Sequence, residues 1–131
     1  MKKKYNILII DDDRFLLDMY SVKFKEHGFD VTAVSAGDQA LEKLREGFSP
    51  DVILLDIVMP GVDGFEVLSV LQKEKLGNDP VVIILSNQGQ EPEIDKAKNM
   101  GAAGYIVKAS ATPSEVLTKV MSIIEGQSAG T

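Results

Sequence analysis

Apolar residues are grouped along the chain in two ways, as short continuous runs and as longer stretches with helical spacing. Each short run is bounded by polar or turn-forming residues, which is typical of a strand buried on both faces of a parallel sheet. The runs predict strands at residues 6–10, 31–34, 52–55, 81–85 and 105–108.

After each run, apolar residues recur three or four positions apart, which predicts five amphipathic helices. The residues that mark these helices are Leu16, Met19, Tyr20 and Phe24, then Ala40, Leu41, Leu44 and Phe48 on one face, then Phe65, Leu68 and Leu71, then Ile94, Ala97 and Met100, and last Val116, Val120, Ile123 and Ile124, which are expected to face inward. Asp13, Ser35 and Thr112 are suited to cap the first, second and fifth helices, and Glu115 would complete a capping box with Thr112.

Strands that alternate with helices in this way predict an α/β fold, a doubly wound five-stranded parallel sheet covered by five helices on its two faces. A chain of 131 residues is an ordinary size for a single domain. We therefore expect one domain over residues 1–125 and a flexible tail over residues 126–131.

The amino-acid composition excludes several classes of function. The chain has 14 Lys and Arg against 20 Asp and Glu, and a net charge of −6 argues against a general grip on nucleic acid phosphates. It contains no Cys, so disulfides and thiolate metal sites are excluded. The apolar runs are far too short to span a bilayer, which favours a soluble, cytoplasmic protein without membrane contact.

Four polar residues stand where predicted strands end, namely Asp11, Asp56, Ser86 and Lys108. Parallel strands all end at the same edge of their sheet, and ligands of open α/β sheets bind at that edge. Taken alone, Asp56 would most simply be a residue that starts a turn. The four residues together indicate a site.

The segments that carry these residues are ILIIDDD at 7–13, LLDIVMPGVDG at 54–64, LSN at 85–87 and GYIVK at 104–108. With them the chain resembles the receiver domain of two-component response regulators over essentially its whole length, in particular the single-domain chemotaxis regulators. The resemblance implies a flavodoxin-like sheet with strand order 2-1-3-4-5, in which the first and third strands are neighbours.

The resemblance also implies that Asp56 accepts a phosphoryl group and that Mg²⁺ binds beside it. Asp12 would be a direct metal ligand, Asp11 a water-mediated one, and the backbone carbonyl of Val58 a further ligand. Clustered carboxylates repel one another unless a cation lies among them, and Mg²⁺ prefers such oxygen ligands.

By the same resemblance, Ser86 and Lys108 would contact the phosphoryl oxygens, and Tyr105 would change position together with Ser86. A carboxylate is a poor nucleophile toward an anionic phosphoryl group, so an ammonium and a metal ion are needed to neutralise the charge. The family usually has a proline after this lysine, often with a cis peptide bond, whereas this chain has Ala109. We expect a trans bond there, because a cis bond before alanine costs about 3 to 4 kcal/mol.

In this family the lifetime of the phosphorylated state depends partly on two positions that correspond to Val58 and Gln88. A polar side chain there can orient the attacking water. Since Val58 cannot form a hydrogen bond, we expect slow self-dephosphorylation.

Three other interpretations are open. A haloacid-dehalogenase-type phosphatase would need a second acid two residues after the nucleophile, where this chain has Val58. A nucleotide- or flavin-binding module would need a phosphate-binding loop after the first strand, where the chain has acids instead. A degenerate receiver that only binds partners would lack some reactive residues, and none is missing here.

The favoured interpretation is a phosphorylation switch rather than an enzyme with a separate substrate. Its phosphoryl donor would be a sensor histidine kinase or a phosphotransfer protein. Since no output module follows the last helix, the signal would pass to a downstream effector through the fourth helix, fifth strand and fifth helix, unless the chain is a fragment of a larger regulator.

Overall fold

The computed structural model describes residues 4–87 and 89–129. Within these residues the strands are β1 (Asn6–Ile10), β2 (Asp30–Val34), β3 (Val52–Asp56), β4 (Val81–Ser86) and β5 (Gly104–Val107). The helices are α1 (Arg14–Glu26), α2 (Gly37–Arg45), α3 (Gly64–Lys73), α4 (Glu91–Asn99) and α5 (Pro113–Ala129). Short 3₁₀ turns lie at Leu76–Asn78 and Lys108–Ser110.

The strands form one parallel sheet in the order β2-β1-β3-β4-β5, which confirms the predicted fold class and strand order. The register of the sheet aligns the carboxyl ends of β1, β3 and β4. Ile10 of β1 lies opposite Leu55 of β3, and Asp56 lies opposite Leu85 of β4. The residues that follow these strands therefore share one edge of the sheet.

Alternate residues of β1, β3 and β4 enter two separate cores. Ile7 and Ile9 of β1 pack with residues of α1 and α5, whereas Leu8 and Ile10 pack with residues of α2 and α3. Ala97 of α4 joins the second core. Because both faces of the sheet are covered, the strands are apolar at successive positions, as the sequence pattern predicted.

Two of the three predicted helix caps are present. Asp13 accepts a hydrogen bond from the Leu16 N–H at 3.2 Å, and Thr112 and Glu115 form the expected reciprocal pair. The predicted cap at Ser35 is wrong. Helix α2 begins at Gly37, so its N-cap is Ala36, which offers no side-chain acceptor.

Two helix ends differ from expectation. Helix α2 ends at Arg45, and Gly47 adopts a φ of +106°, so Phe48 packs on the core from outside the helix. Helix α5 continues to Ala129 and so includes residues 126–129 of the expected tail. A glycine lowers helix stability by only about 1 kcal/mol, so Gly126 need not end a helix. Residues 130 and 131 lie outside the described residues, and the domain boundary at residue 125 stays a prediction.

Large exposed apolar side chains in the described part of the chain are few. Phe15, Met19 and Val22 lie on α1, and Val58 follows β3. None of the described helices combines the length and the apolar character that crossing a membrane requires.

Candidate functional site

The carboxyl ends of β1 and β3 place two acids at the same edge of the sheet. Asp11 directly follows β1, and Asp56 is the last residue of β3. The N–H of Gly64, which begins α3, donates a hydrogen bond to the Ile57 carbonyl at 2.8 Å. A Cβ atom on Gly64 would lie only 2.4 Å from the Asp56 carbonyl oxygen, so glycine is required for this close approach of α3. The backbone around Asp56 is therefore tightly held.

Three carboxylates converge at this edge. One oxygen each from Asp11, Asp12 and Asp56 lies within 4.8 Å of the others. Asp11 and Asp56 are 0% and 3% exposed, whereas Asp12 is exposed. The Asp13 N–H donates to Asp11 Oδ1 at 2.9 Å, which fixes the orientation of that carboxylate. The cluster thus has two buried acids and one acid open to solvent.

Lys108 is the cation of the site. Its Nζ lies 2.8 Å from Asp11 Oδ2 and 3.3 Å from Asp56 Oδ1, and its side chain is only 6% exposed. One ammonium against three carboxylates leaves the cluster with an excess of negative charge. The structure therefore brings together Asp11, Asp12, Asp56 and Lys108, as expected from their positions at strand ends, while their individual roles stay predictions.

Burial and the contacts between opposite charges together shift the ionisation of Asp56 and Lys108. Burial raises the pKa of Asp56 to about 7, the Lys108 ammonium opposes this rise, and the negative charge of Asp11 adds to it. For Lys108, burial alone would lower the pKa, but the contacts with Asp11 and Asp56 together raise it above its ordinary value. The lysine is therefore charged at neutral pH, whereas Asp56 is held near its titration point when no metal is bound.

The donor set of the cluster suits a hard divalent cation. Apart from its ion pair with Lys108, Asp11 Oδ2 meets no hydrogen-bond donor within the described part of the chain. Carboxylate oxygens with access to water through the exposed Asp12 are the environment that Mg²⁺ prefers. Asp11, Asp12 and Asp56 therefore fit a metal site, and the Val58 carbonyl as a fourth ligand stays a prediction.

The predicted switch residues lie beside this cluster. Ser86 is 2% exposed and follows Leu85, the register partner of Asp56. The hydroxyl of Tyr105 donates to Glu93 Oε1 at 2.5 Å, and the Ser86 hydroxyl donates to the same oxygen at 3.4 Å. Glu93 was not identified from the sequence, because an acid in the first turn of a helix is explained by the helix dipole alone.

The remaining predicted positions have different outcomes. Val58 is 69% exposed, so its apolar side chain faces solvent two residues after Asp56. Gln88 lies outside the described residues, and its role stays a prediction. The described peptide bonds are all trans, including the bond between Lys108 and Ala109, as expected.

Residues 7–121 match the family model described as the response regulator receiver domain. The match covers most of the chain and includes all four strand ends of the site. The protein therefore belongs to the receiver domain family of two-component response regulators.

Curated relatives are longer regulators. The chain is 34% identical over 126 residues to the alkaline phosphatase synthesis transcriptional regulatory protein PhoP of Bacillus subtilis, an alignment that covers 95% of this chain and 49% of that protein. It is 31% identical over 117 residues to the DNA-binding response regulator MtrA of Mycobacterium tuberculosis, with 89% of this chain and 49% of that protein covered. The chain thus spans about half the length of these relatives.

Solved structures show the same fold. A CheY-like response regulator receiver domain from Methanospirillum hungatei is 25% identical with a TM-score of 0.85, and the match covers 98% of this chain and 100% of that one. The receiver domain of the Francisella response regulator 1452 is 29% identical with a TM-score of 0.83, covering 95% and 99% of the two chains. The flavodoxin-like receiver fold is confirmed.

Removal of the Asp56 charge should stabilise the metal-free protein at alkaline pH. Unfolded Asp56 ionises near its ordinary pKa, but the pKa of the folded group is about 7, so the folded protein holds more protons between these values. Wild-type stability therefore falls as the pH rises through this window, a loss that Asp56→Asn avoids. Near pH 8 we expect the variant to be more stable by at least about 1 kcal/mol in urea denaturation with EDTA, and the difference should shrink toward about pH 5.

Asp95→Asn removes the same formal charge from the exposed surface of α4 and serves as the control for net charge. The stability difference caused by Asp56→Asn should exceed that of the control. Parallel pH profiles for wild type and Asp56→Asn would contradict the raised pKa.

Proposed function

We propose that this chain is a phosphorylation-dependent signalling switch in which Asp56 accepts the phosphoryl group. The observation that carries the proposal is the buried Lys108 ammonium, held in contact with both Asp11 and Asp56 beside an acidic cluster. This arrangement supplies a nucleophilic carboxylate, a cation for the phosphoryl oxygens and ligands for a metal ion. The family match to response regulator receiver domains supports it.

In the proposed reaction, an Asp56 carboxylate oxygen attacks the phosphorus of a phosphohistidine. A new P–O bond forms as the P–N bond breaks, and the imidazole leaves with the electron pair of the broken bond. Lys108 contacts a phosphoryl oxygen and offsets its charge, while Ser86 donates its hydroxyl proton to another. Asp11, Asp12, Asp56 and the Val58 carbonyl would hold Mg²⁺, which when bound supplies further positive charge to the phosphoryl oxygens.

The partners follow from this chemistry. The donor is a sensor histidine kinase or a phosphotransfer protein, and the signal leaves through the surface of α4, β5 and α5 to a downstream effector. Tyr105 lies on β5 within this surface and lies close to Ser86, which connects the surface with the site. A cytoplasmic location, no membrane contact and no direct binding of nucleic acid by this domain stay predictions.

Incubation with acetyl phosphate and Mg²⁺ should add the mass of one phosphoryl group, and Asp56→Asn should abolish this gain. Asp56 is the acid that both ends the central strand and contacts Lys108. The measurement is intact-protein mass spectrometry, with the exposed Asp95→Asn variant as a control that reacts like wild type. Full phosphorylation of Asp56→Asn would show that another residue is the acceptor.

Magnesium should stabilise the folded protein through the acidic cluster. A ligand at ten times its dissociation constant stabilises by about 1.4 kcal/mol, which is visible as a shift in melting temperature. Asp12→Ala should lose this response without a loss of stability in the metal-free state, because it removes a repelling charge.

Asp13→Ala is the matched control for the metal response. Asp13 caps α1, so its loss should lower stability by about 1 kcal/mol while the response to magnesium remains. A melting temperature of the wild type that does not change across millimolar magnesium would rule out the metal site.

The phosphorylated protein should lose its phosphoryl group slowly. The exposed Val58 side chain cannot hold a water in line with the phosphorus, so we expect Val58→Asn to accelerate the loss severalfold and Gln88→Ala to slow it. The measurement is the decay of phosphorylated protein in excess Mg²⁺ after the donor is removed. Val22→Asn makes the same exchange on the exposed surface of α1 and should leave the decay unchanged.

An unchanged or slower decay in Val58→Asn would show that this side chain does not orient the attacking water. In that case the lifetime would depend on access or loop motion.

A further inference from the structure

The carboxylate of Glu93 joins the two predicted switch residues. Glu93 is in the first turn of α4, Tyr105 is on β5 and Ser86 is the last residue of β4. Both hydroxyls donate to one oxygen, Glu93 Oε1, at 2.5 Å from Tyr105 and 3.4 Å from Ser86. A single acid therefore connects a helix of the proposed output surface with the edge of the site.

The two contacts differ in strength. A distance of 2.5 Å is typical of a charge-assisted O–H···O⁻ hydrogen bond, whereas 3.4 Å is the length of a weak one. Burial raises the pKa of Tyr105 to about 12, the hydrogen bond to Glu93 adds to the rise, and Ser86 opposes it. Tyr105 is therefore a neutral donor at physiological pH, and its bond carries most of the interaction with Glu93.

Ser86 has only one hydroxyl proton to donate. In the structure the Ser86 hydroxyl lies 3.4 Å from Glu93 Oε1 and also forms a hydrogen bond with Tyr105. A phosphoryl group on Asp56 would present another strong acceptor near Ser86, since Asp56 lies opposite the preceding residue Leu85 in the sheet. The proton of Ser86 cannot serve the carboxylate and the phosphoryl group at the same time.

We propose that Glu93 is a positioning residue that holds Tyr105 and Ser86 in the arrangement of the unphosphorylated protein and competes with the phosphoryl group for Ser86. This role rests on the proposed function of Asp56 and Ser86. Phosphorylation draws Ser86 away from Glu93, and the inward turn of Tyr105 then breaks the stronger bond. The first turn of α4 loses both hydroxyl contacts together, which changes the output surface.

Glu91, in the same helix turn, provides a control that separates the proposed role of Glu93 from a purely structural one. Glu91 is also an acid of the first turn of α4, so it too interacts favourably with the helix dipole. It is exposed, whereas Glu93 is half-buried against Tyr105. Glu91→Gln therefore controls for charge and dipole, and Glu93→Gln additionally weakens the acceptor for the two hydroxyls.

The test measures the affinity for beryllofluoride, a phosphoryl mimic, in the presence of Mg²⁺. Glu93→Gln replaces a charged acceptor with a neutral one, so the switched arrangement becomes more populated and the dissociation constant should fall about fivefold. Glu91→Gln should leave it unchanged. In a Tyr105→Phe background, where the hydroxyl is absent, Glu93→Gln should change it by less than about twofold.

Tyrosine NMR provides a readout that a loss of stability would not mimic. In protein with ¹³C-labelled tyrosine, the Tyr105 ring resonance is assigned by its absence in Tyr105→Phe. In ligand-free Glu93→Gln this resonance should lie closer to its position in the beryllofluoride-bound wild type. In Glu91→Gln it should coincide with the ligand-free wild type.

The outcomes separate the two proposals. If the wild type binds no beryllofluoride and takes up no phosphoryl group, the proposed function fails and the role of Glu93 fails with it. If the wild type binds but Glu93→Gln matches Glu91→Gln in affinity and in the Tyr105 resonance, only the role of Glu93 is overturned. An equal effect of Glu93→Gln with and without the Tyr105 hydroxyl would also overturn it.

Discussion

Two buried carboxylates, Asp11 and Asp56, impose the constraint on which the rest of the structure depends. Burial of an acid disfavours its charged form, and the Lys108 ammonium only partly offsets this cost at Asp56. The compensating free energy comes from the apolar strands that end at the site, which are covered on both faces. Most of the largest fully buried side chains belong to β1, β3 and β4, the strands that position these acids and Ser86.

The same charge imbalance makes the site sensitive to what binds there. A preformed cluster of acids destabilises the folded protein through charge repulsion. Binding of a cation or a rearrangement of hydrogen bonds relieves this repulsion, and can therefore shift the balance between two conformations. Glu93 fits this logic, since its two hydroxyl contacts link the site edge to α4 through neutral donors. In the proposed switch, phosphorylation of Asp56 and the position of helix α4 belong to one conformational equilibrium.

The parts of the fold that follow from local pattern could be predicted, and those set by packing could not. Continuous apolar runs identified the strands, and parallel direction placed Asp11, Asp56 and Lys108 at one edge. The strand order required a family resemblance, since periodicity does not show which strands pair. Glu93 was missed because an acid in the first turn of a helix is already explained by the helix dipole, and because its partner Tyr105 lies twelve residues away in sequence. The misplaced cap at Ser35 and the length of α5 reflect helix ends, which local signals locate poorly.

The backbone hydrogen bonds on either side of Val58 bear on the proposed lifetime of the phosphorylated state. Ile57 is held by Gly64, and the start of α3 is held by the reciprocal hydrogen bonds of Asp63 and Glu66. Between these fixed points the Val58 side chain projects into solvent, 69% exposed. On the proposed function, substitutions there would alter the access of water to the phosphorylated acceptor, while the buried core would not be affected. Under the same proposal, proteins that share this scaffold would differ in the lifetime of the phosphorylated state while keeping the same phosphoryl-accepting site.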